Sequence, residues 1–281
     1  MVSVLFKVLV EHVLSIRVKL NITSEYFRIY EGFIVSDEKT SEIIIDKLIN
    51  FLRNYMPSLQ ELSFRHAPCT FTLSNLIQLA TVVPNLKKLD ISRLGNWPFF
   101  EKGAVLALPY FRKLTSLRMD AFQTNIWPGK GCAYRMEILP IRELYNLETF
   151  EIECEFDTLT KILHKMHEAQ FVLFRLKRIS FGVKRCSANF SELLIWFLNS
   201  HRSLRFVRIC NALFTTSDQL RRFYSCLILL PFLCELRLDN CTSCDRIDSN
   251  MQTQFRRALT NKGVVQLGTV RSMRFDPNSI Y

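Results

Sequence analysis

The chain has 281 residues, 48% of them hydrophobic and 22% charged, with a formal net charge of +11 at pH 7. Gly and Pro are sparse and scattered, so nothing resembles an interdomain linker. Nine cysteines without regular spacing argue against a disulfide framework and point to a reducing compartment, cytoplasmic with the nucleus left open.

Residues 1–35 read as an irregular N-terminal cap, and 36–281 as one repeat domain that includes its own C-terminal cap. Val2 to Val10 is apolar but carries Lys7 and lacks a small-residue cleavage site. It therefore reads as a capping helix or strand, not as a signal peptide. Strand candidates follow at Leu14–Leu20 and Tyr26–Tyr30. Ile44, Leu48, Phe51, Leu52 and Tyr55 then recur at helical spacing.

From there one phrase repeats seven times, an anchor followed by apolar residues at +3 and +5. It runs Leu59-Leu62-Phe64, Leu86-Leu89-Ile91, Leu114-Leu117-Met119, Leu147-Phe150-Ile152, Leu176-Ile179-Phe181, Leu204-Val207-Ile209 and Leu233-Leu236-Leu238. The anchors are 27, 28, 33, 29, 28 and 29 residues apart, a period that signals stacked repeats. Apolar +3 and +5 positions alternating with polar neighbours predict a strand with one buried side. Between phrases, Leu159, Ile162, Leu163, Met166 and Leu220, Phe223, Tyr224, Leu227, Ile228 predict helices. Thr216 with Gln219 and Asn189 with Glu192 have capping-box spacing, and Pro57, Pro84 and Pro231 precede their anchors where a helix must stop. Residues 264–275 supply a final strand anchored at Val264 or Val270. The longest apolar run after the N-terminus, Cys226 to Cys234, contains Pro231 and is too short to span a bilayer.

Each repeat is thus a strand and a helix, with parallel strands and right-handed crossovers. Strands pack about 4.8 Å apart but helices roughly 8 to 10 Å, so stacking should curl the strand side inward. The expected architecture is an α/β arc of about eight repeats, with a concave parallel sheet and convex helices. "MPSLQELSF", "VPNLKKLDI" and "LPFLCELRLDNC" resemble leucine-rich repeats, most of all the long, irregular ones of F-box/leucine-rich-repeat proteins. Cys241 lies three residues past Leu238, where that family often places Cys or Asn. The resemblance covers roughly residues 55 to 245. It implies a non-enzymatic scaffold that recognises protein, with substrate choice for a cullin-type ubiquitin ligase as its setting. No F-box is visible ahead of the repeats, so no adaptor binding is expected of these residues.

Charge placement bears on the partner. The positions alternating with the phrase hold Arg65, Lys88, Arg118, Arg178, Arg208 and Arg237 against Glu61, Asp90, Asp120, Glu151, Glu153, Glu235 and Asp239. Six against seven is no phosphate-tracking groove. Along the chain, an acidic stretch at 143–157 abuts a basic one at 171–208. This is either an ordinary solvated surface or a two-signed docking site. The alternative function is RNA or acidic-surface binding by repeats 171–208. Nucleic-acid binding is expected to be weak and non-specific, because the acidic stretch repels phosphates.

Two Trp-Pro pairs, Trp97-Pro98 and Trp127-Pro128, stand 30 residues apart in loops leaving the strands. They are either neighbouring hot spots on one rim or lids over the core ends. The candidate protein-binding residues are therefore Trp97, Trp127, Arg118, Glu151, Glu153, Arg178, Arg208 and Arg237.

Chemistry-bearing motifs are weak. His164 and His167 lack a third ligand, and Cys241 with Cys244 lacks a second pair for zinc. Lys130 in "PGKG" lacks the rest of a phosphate-binding loop, and no nucleophile elbow occurs. No enzyme activity, cofactor, metal or membrane contact is expected, and the chain alone should be a monomer.

Overall fold

The structure is a computed structural model that describes residues 2–23, 38–67, 69, 71–92, 104–120, 141, 143–154, 156–183, 188–245 and 247–272. They fall into two compact units, Met1–Phe122 with Glu137–Thr149, and Gln123–Met136 with Phe150–Tyr281.

The first unit contains α1 (Val2–Ser15), β1 (Lys19–Asn21), α2 (Glu38–Tyr55), β2 (Glu61–Ser63), α3 (Leu73–Val82), β3 (Lys88–Ile91), a 3-10 helix at Ala104–Tyr110 and β4 (Ser116–Asp120). The strands are parallel in chain order, with Leu20 opposite Leu62, Leu62 opposite Leu89 and Leu89 opposite Leu117. Thr72 caps α3 with a complete capping box: its hydroxyl accepts the Asn75 N–H, and the Asn75 carboxamide accepts its own.

The second unit takes in β5 (Thr149–Cys154) from its second residue, then α4 (Phe156–Glu168), β6 (Arg178–Val183), α5 (Ala188–Ser200) and β7 (Phe206–Cys210). β8 (Leu213–Phe214), α6 (Ser217–Leu229), β9 (Glu235–Asp239), β10 (Thr242–Ser243), α7 (Ser249–Asn261), β11 (Val265–Leu267) and β12 (Arg271–Ser272) follow. Its main sheet runs β5-β6-β7-β9-β11, and β12-β10-β8 form a second small sheet. Nine parallel strands are thus described, four in the first unit and five in the second. Strand–helix units in register at a 28-residue period are the α/β organisation of leucine-rich repeats.

The phrase is the core. All its residues are buried, none more than 4% exposed. Successive phrases touch through aromatic edges, as where Phe150 meets Phe181 at 6.3 Å between centroids. The helical stripes Leu159, Ile162, Leu163, Met166 and Leu220, Phe223, Tyr224, Leu227 are equally buried. Neighbouring helices meet through Trp196 and His167, 5.0 Å apart on α5 and α4, and through stacked Tyr224 and Phe255 on α6 and α7.

The turns feeding the strands share one bond. The anchor N–H of Leu59, Leu86, Leu114, Leu147, Leu176 and Leu204 donates to the carbonyl three residues earlier, on Met56, Val83, Phe111, Leu144, Leu173 and His201. Five of those six partners are apolar and buried; His201 is the buried exception. Leaving the strands, His66, Asn211 and Asn240 take positive φ of 64°, 58° and 52°. Each is followed by a small buried residue, Ala67, Ala212 or Cys241.

Several expectations need correction. Leu14–Leu20 is not a strand: α1 extends through Ser15, and only Lys19–Asn21 pairs with the sheet. Leu20 and Ile22 still fill the core side of that rung, although Arg17 stands where an anchor would. This adds a strand to the expected eight. Asn189 lies inside α5 and is not its cap; Glu192 instead accepts from Gln219 and Arg222. Thr216 does cap α6, but the Gln219 side chain returns to the N–H of Thr215. In the last repeat both Val264 and Val270 are buried. Val265 pairs with Glu235, so Gln266 occupies the rung of Leu236, and Val264 sits one residue nearer its strand than Leu233 does. Tyr26–Tyr30 lies outside the described residues.

Candidate binding surface on the strand face

Alternation decides what the strands present. β7 and β9 bury Val207, Ile209, Leu236 and Leu238, which leaves Phe206, Arg208, Cys210, Glu235, Arg237 and Asp239 on the opposite face. Registry then places these side chains in rows: Arg178 opposite Phe206, Phe206 opposite Glu235, Ser180 opposite Arg208, Arg208 opposite Arg237, and Cys210 opposite Asp239.

In the second unit the rows interlock. Asp239 accepts from Arg208 Nε at 2.8 Å and from Arg237 Nε at 3.2 Å. This resolves two guanidiniums placed side by side, which would otherwise repel. Partial burial pushes the Asp239 carboxyl up, but the bonds and charges of Arg208 and Arg237 outweigh it and hold it below its ordinary value. The Cys210 thiol, beside the same carboxylate, is pushed up to about 11, chiefly by burial. Arg178 lies over the Phe206 ring, 3.9 Å from its centroid. Between these groups β6 contributes only Ser180 and Gly182, a low strip that the Glu153 side chain overhangs. A β-carbon at Gly182 would come within 3.1 Å of the Glu153 Cγ.

In the first unit the rows pair by opposite sign. Glu61 bonds Lys88 at 2.6 Å and lies 3.7 Å from Lys19. The bond from Lys88 holds the Glu61 carboxyl below its ordinary value despite some desolvation. Asp90 meets Arg118 at 3.5 Å across the β3–β4 rung.

Of the residues read from sequence, Arg118, Glu151, Glu153, Arg178, Arg208 and Arg237 stand on strands of this face. Trp97 and Trp127 lie outside the described residues. Sequence reading counted the charges but missed their pairing, the Arg178–Phe206 stack and the Ser180–Gly182 strip. The signal was available: these positions share offsets of two, four and six from their anchors, so equal offsets face each other.

The remaining motifs have other places. His164 lies 3.4 Å from Glu168 on α4, and His167 packs edge-on to Trp196. Cys241 is fully buried, its thiol directed at the Ile209 carbonyl. Among the described residues, no three His, Cys, Asp or Glu side chains are placed to hold a metal ion. Among those residues, no helix is long and apolar enough to cross a membrane.

No protein-family model matches the chain, and no curated protein matches it. A similar solved structure is internalin C2 from Listeria monocytogenes, at 14% identity over 80% of this chain and 84% of that one, with a TM-score of 0.35.

Proposed function

We propose that this chain is a non-enzymatic protein-recognition scaffold whose partner lies across the strand face. The observation that carries the reading is the shared Asp239. With Arg208 and Arg237 fixed on one carboxylate, the face offers a charge pattern that is ordered before binding, which lowers the entropy lost on docking. Arg118, Glu151, Arg178 and Arg208 set the partner's register, and the Trp97 and Trp127 loops add affinity at the rim. The resemblance to F-box/leucine-rich-repeat proteins supplies the cellular setting, substrate choice for a cullin-type ubiquitin ligase.

Capture from cells on the full chain, read by mass spectrometry, tests this. The expected outcome is a defined protein set that survives nuclease and is lost with Arg178→Glu plus Arg208→Glu. A nuclease-sensitive list of ribonucleoproteins, indifferent to those substitutions, would overturn it. The cullin adaptor should not bind residues 1–281 at micromolar concentration, because in the resembled family that contact belongs to the F-box.

A further inference from the structure

The turns that feed the strands of the second unit carry a surface that the strand-face reading leaves unused. Equivalent turns precede β6, β7, β9 and β11, so their tips project at one end of the sheet. The segments 170–177, 201–205, 229–234 and 261–264 contain Arg175, Lys177, Arg202, Arg205 and Lys262 and no Asp or Glu. Among these cations stand large apolar side chains directed at water: Phe174 is 86% exposed, Leu229 60% and Phe232 57%. The first two positions after the anchor-bonding residue are turn tips, so Phe174 and Phe232 stand proud of the ring of charge.

Lys177, Arg205 and Cys234 form a hydrogen-bonded row, with the N–H of Arg205 on the Lys177 carbonyl and that of Cys234 on the Arg205 carbonyl. Arg202 reaches the Leu229 carbonyl at 3.4 Å, and Lys262 caps the Ile228 and Leu230 carbonyls, so adjacent turns are tied together. The acids nearest in sequence face elsewhere: Glu168 is held by Lys165 and His164 on α4, and Glu235 lies on the strand face.

We infer that this rim docks peripherally on an anionic lipid surface, with Phe174, Leu229 and Phe232 entering the headgroup boundary and Arg175, Lys177, Arg202 and Arg205 meeting lipid phosphates and carboxylates. The apolar tips choose this partner over nucleic acid. Aliphatic Leu229 offers no ring for a base to stack on, whereas inserted aliphatic and aromatic side chains ringed by cations suit a membrane interface. The inference is independent of the protein-recognition reading.

The test is co-sedimentation of the full chain with vesicles of about three parts phosphatidylcholine to one part phosphatidylserine, and with pure phosphatidylcholine, near physiological salt. Binding to the anionic vesicles alone is expected. Phe174→Ser with Phe232→Ser, and separately Arg202→Glu with Arg205→Glu, should each lower partitioning about tenfold or more. Their melting transitions should be unchanged. The inference falls if anionic vesicles do not bind, or if binding ignores both pairs of substitutions. It also falls if a single-stranded RNA oligonucleotide binds more tightly than the vesicles and depends on the arginines but not on the phenylalanines.

Discussion

The ring of His201 joins two repeats by accepting the backbone N–H of Leu173 on Nε2, at 3.0 Å. Its Nδ1 is 2.8 Å from the Phe197 carbonyl, so the neutral tautomer with the proton on Nδ1 satisfies both ends. Protonation would set an N–H against the Leu173 N–H inside the core. Burial accordingly lowers the His201 pKa to about 4 from its ordinary 6.5, with the Phe197 bond partly opposing the shift.

The sign for stability follows. Between pH 6.5 and about 4 the unfolded chain takes up a proton that the folded chain refuses. Stability is therefore highest above that window and falls through it, by about 3 kcal/mol in all. His201→Leu should lower stability at neutral pH by about 1–3 kcal/mol, because it strands the Leu173 N–H, yet flatten this part of the pH profile. Denaturant melts at a series of pH values read both effects. An unchanged pH slope in the variant would show that His201 is not the titrating group.

Asp239 has the opposite dependence. Its carboxyl is held below the ordinary value by Arg208 and Arg237 against the effect of burial, so its contribution is present at neutral pH and disappears as acid protonates it. Because the pairs are partly exposed, Asp239→Asn should cost no more than about 1 kcal/mol of stability. Its effect on a strand-face partner should be larger, since two arginines lose their fixed positions. Titration calorimetry beside thermal melts separates the two; a large melting change with intact binding would mark Asp239 as purely structural.

Ile179 is fully buried on the central strand β6 of the second unit. Ile179→Asp places an unpaired charge there and should cost several kcal/mol, by analogy with other buried charges. Limited proteolysis should then find β5 to β9 cleaved together. Protected fragments of β7 and β9 would show that the repeats of this unit unfold separately.

Gly263 and Gly268 both have positive φ, 76° and 77°, but differ in surroundings. A β-carbon at Gly263 meets nothing within 4 Å, whereas one at Gly268 would lie 1.9 Å from the Leu238 carbonyl oxygen. Gly263→Ala should therefore cost only backbone strain, about 1 kcal/mol. Gly268→Ala must push β11 away from β9. Hydrogen exchange should show protection lost at Val265–Leu267 for Gly268→Ala and retained for Gly263→Ala.

The repeat unit was legible in sequence because burial of one strand side imposes an unmistakable alternation. Leu62 and Phe64, or Val207 and Ile209, carry it in three residues. The two ends were harder. Arg17 replaces an apolar anchor at β1, and Gln266 occupies a core rung at β11, so the phrase disappears where the sheet stops needing a neighbour. The β8, β10 and β12 pairs are two residues each, too short for periodicity to register. On the candidate face, residue identities were readable but partners were not, because Arg208 bonds Asp239 diagonally and not the residue directly opposite. His201 was invisible for another reason: a neutral, doubly bonded histidine fills a position that its siblings fill with Leu or Phe.

Rungs align whether 27, 28 or 29 residues separate them, as Leu62 with Leu89, Leu89 with Leu117, and Val207 with Leu236 show. Alignment thus counts only the few residues of the strand and ignores how much chain returns through the helix and loops. A scaffold with that property can acquire or lose loop residues singly without shifting any core side chain to the wrong face. New specificity at its edges therefore need not disturb the fold that presents it.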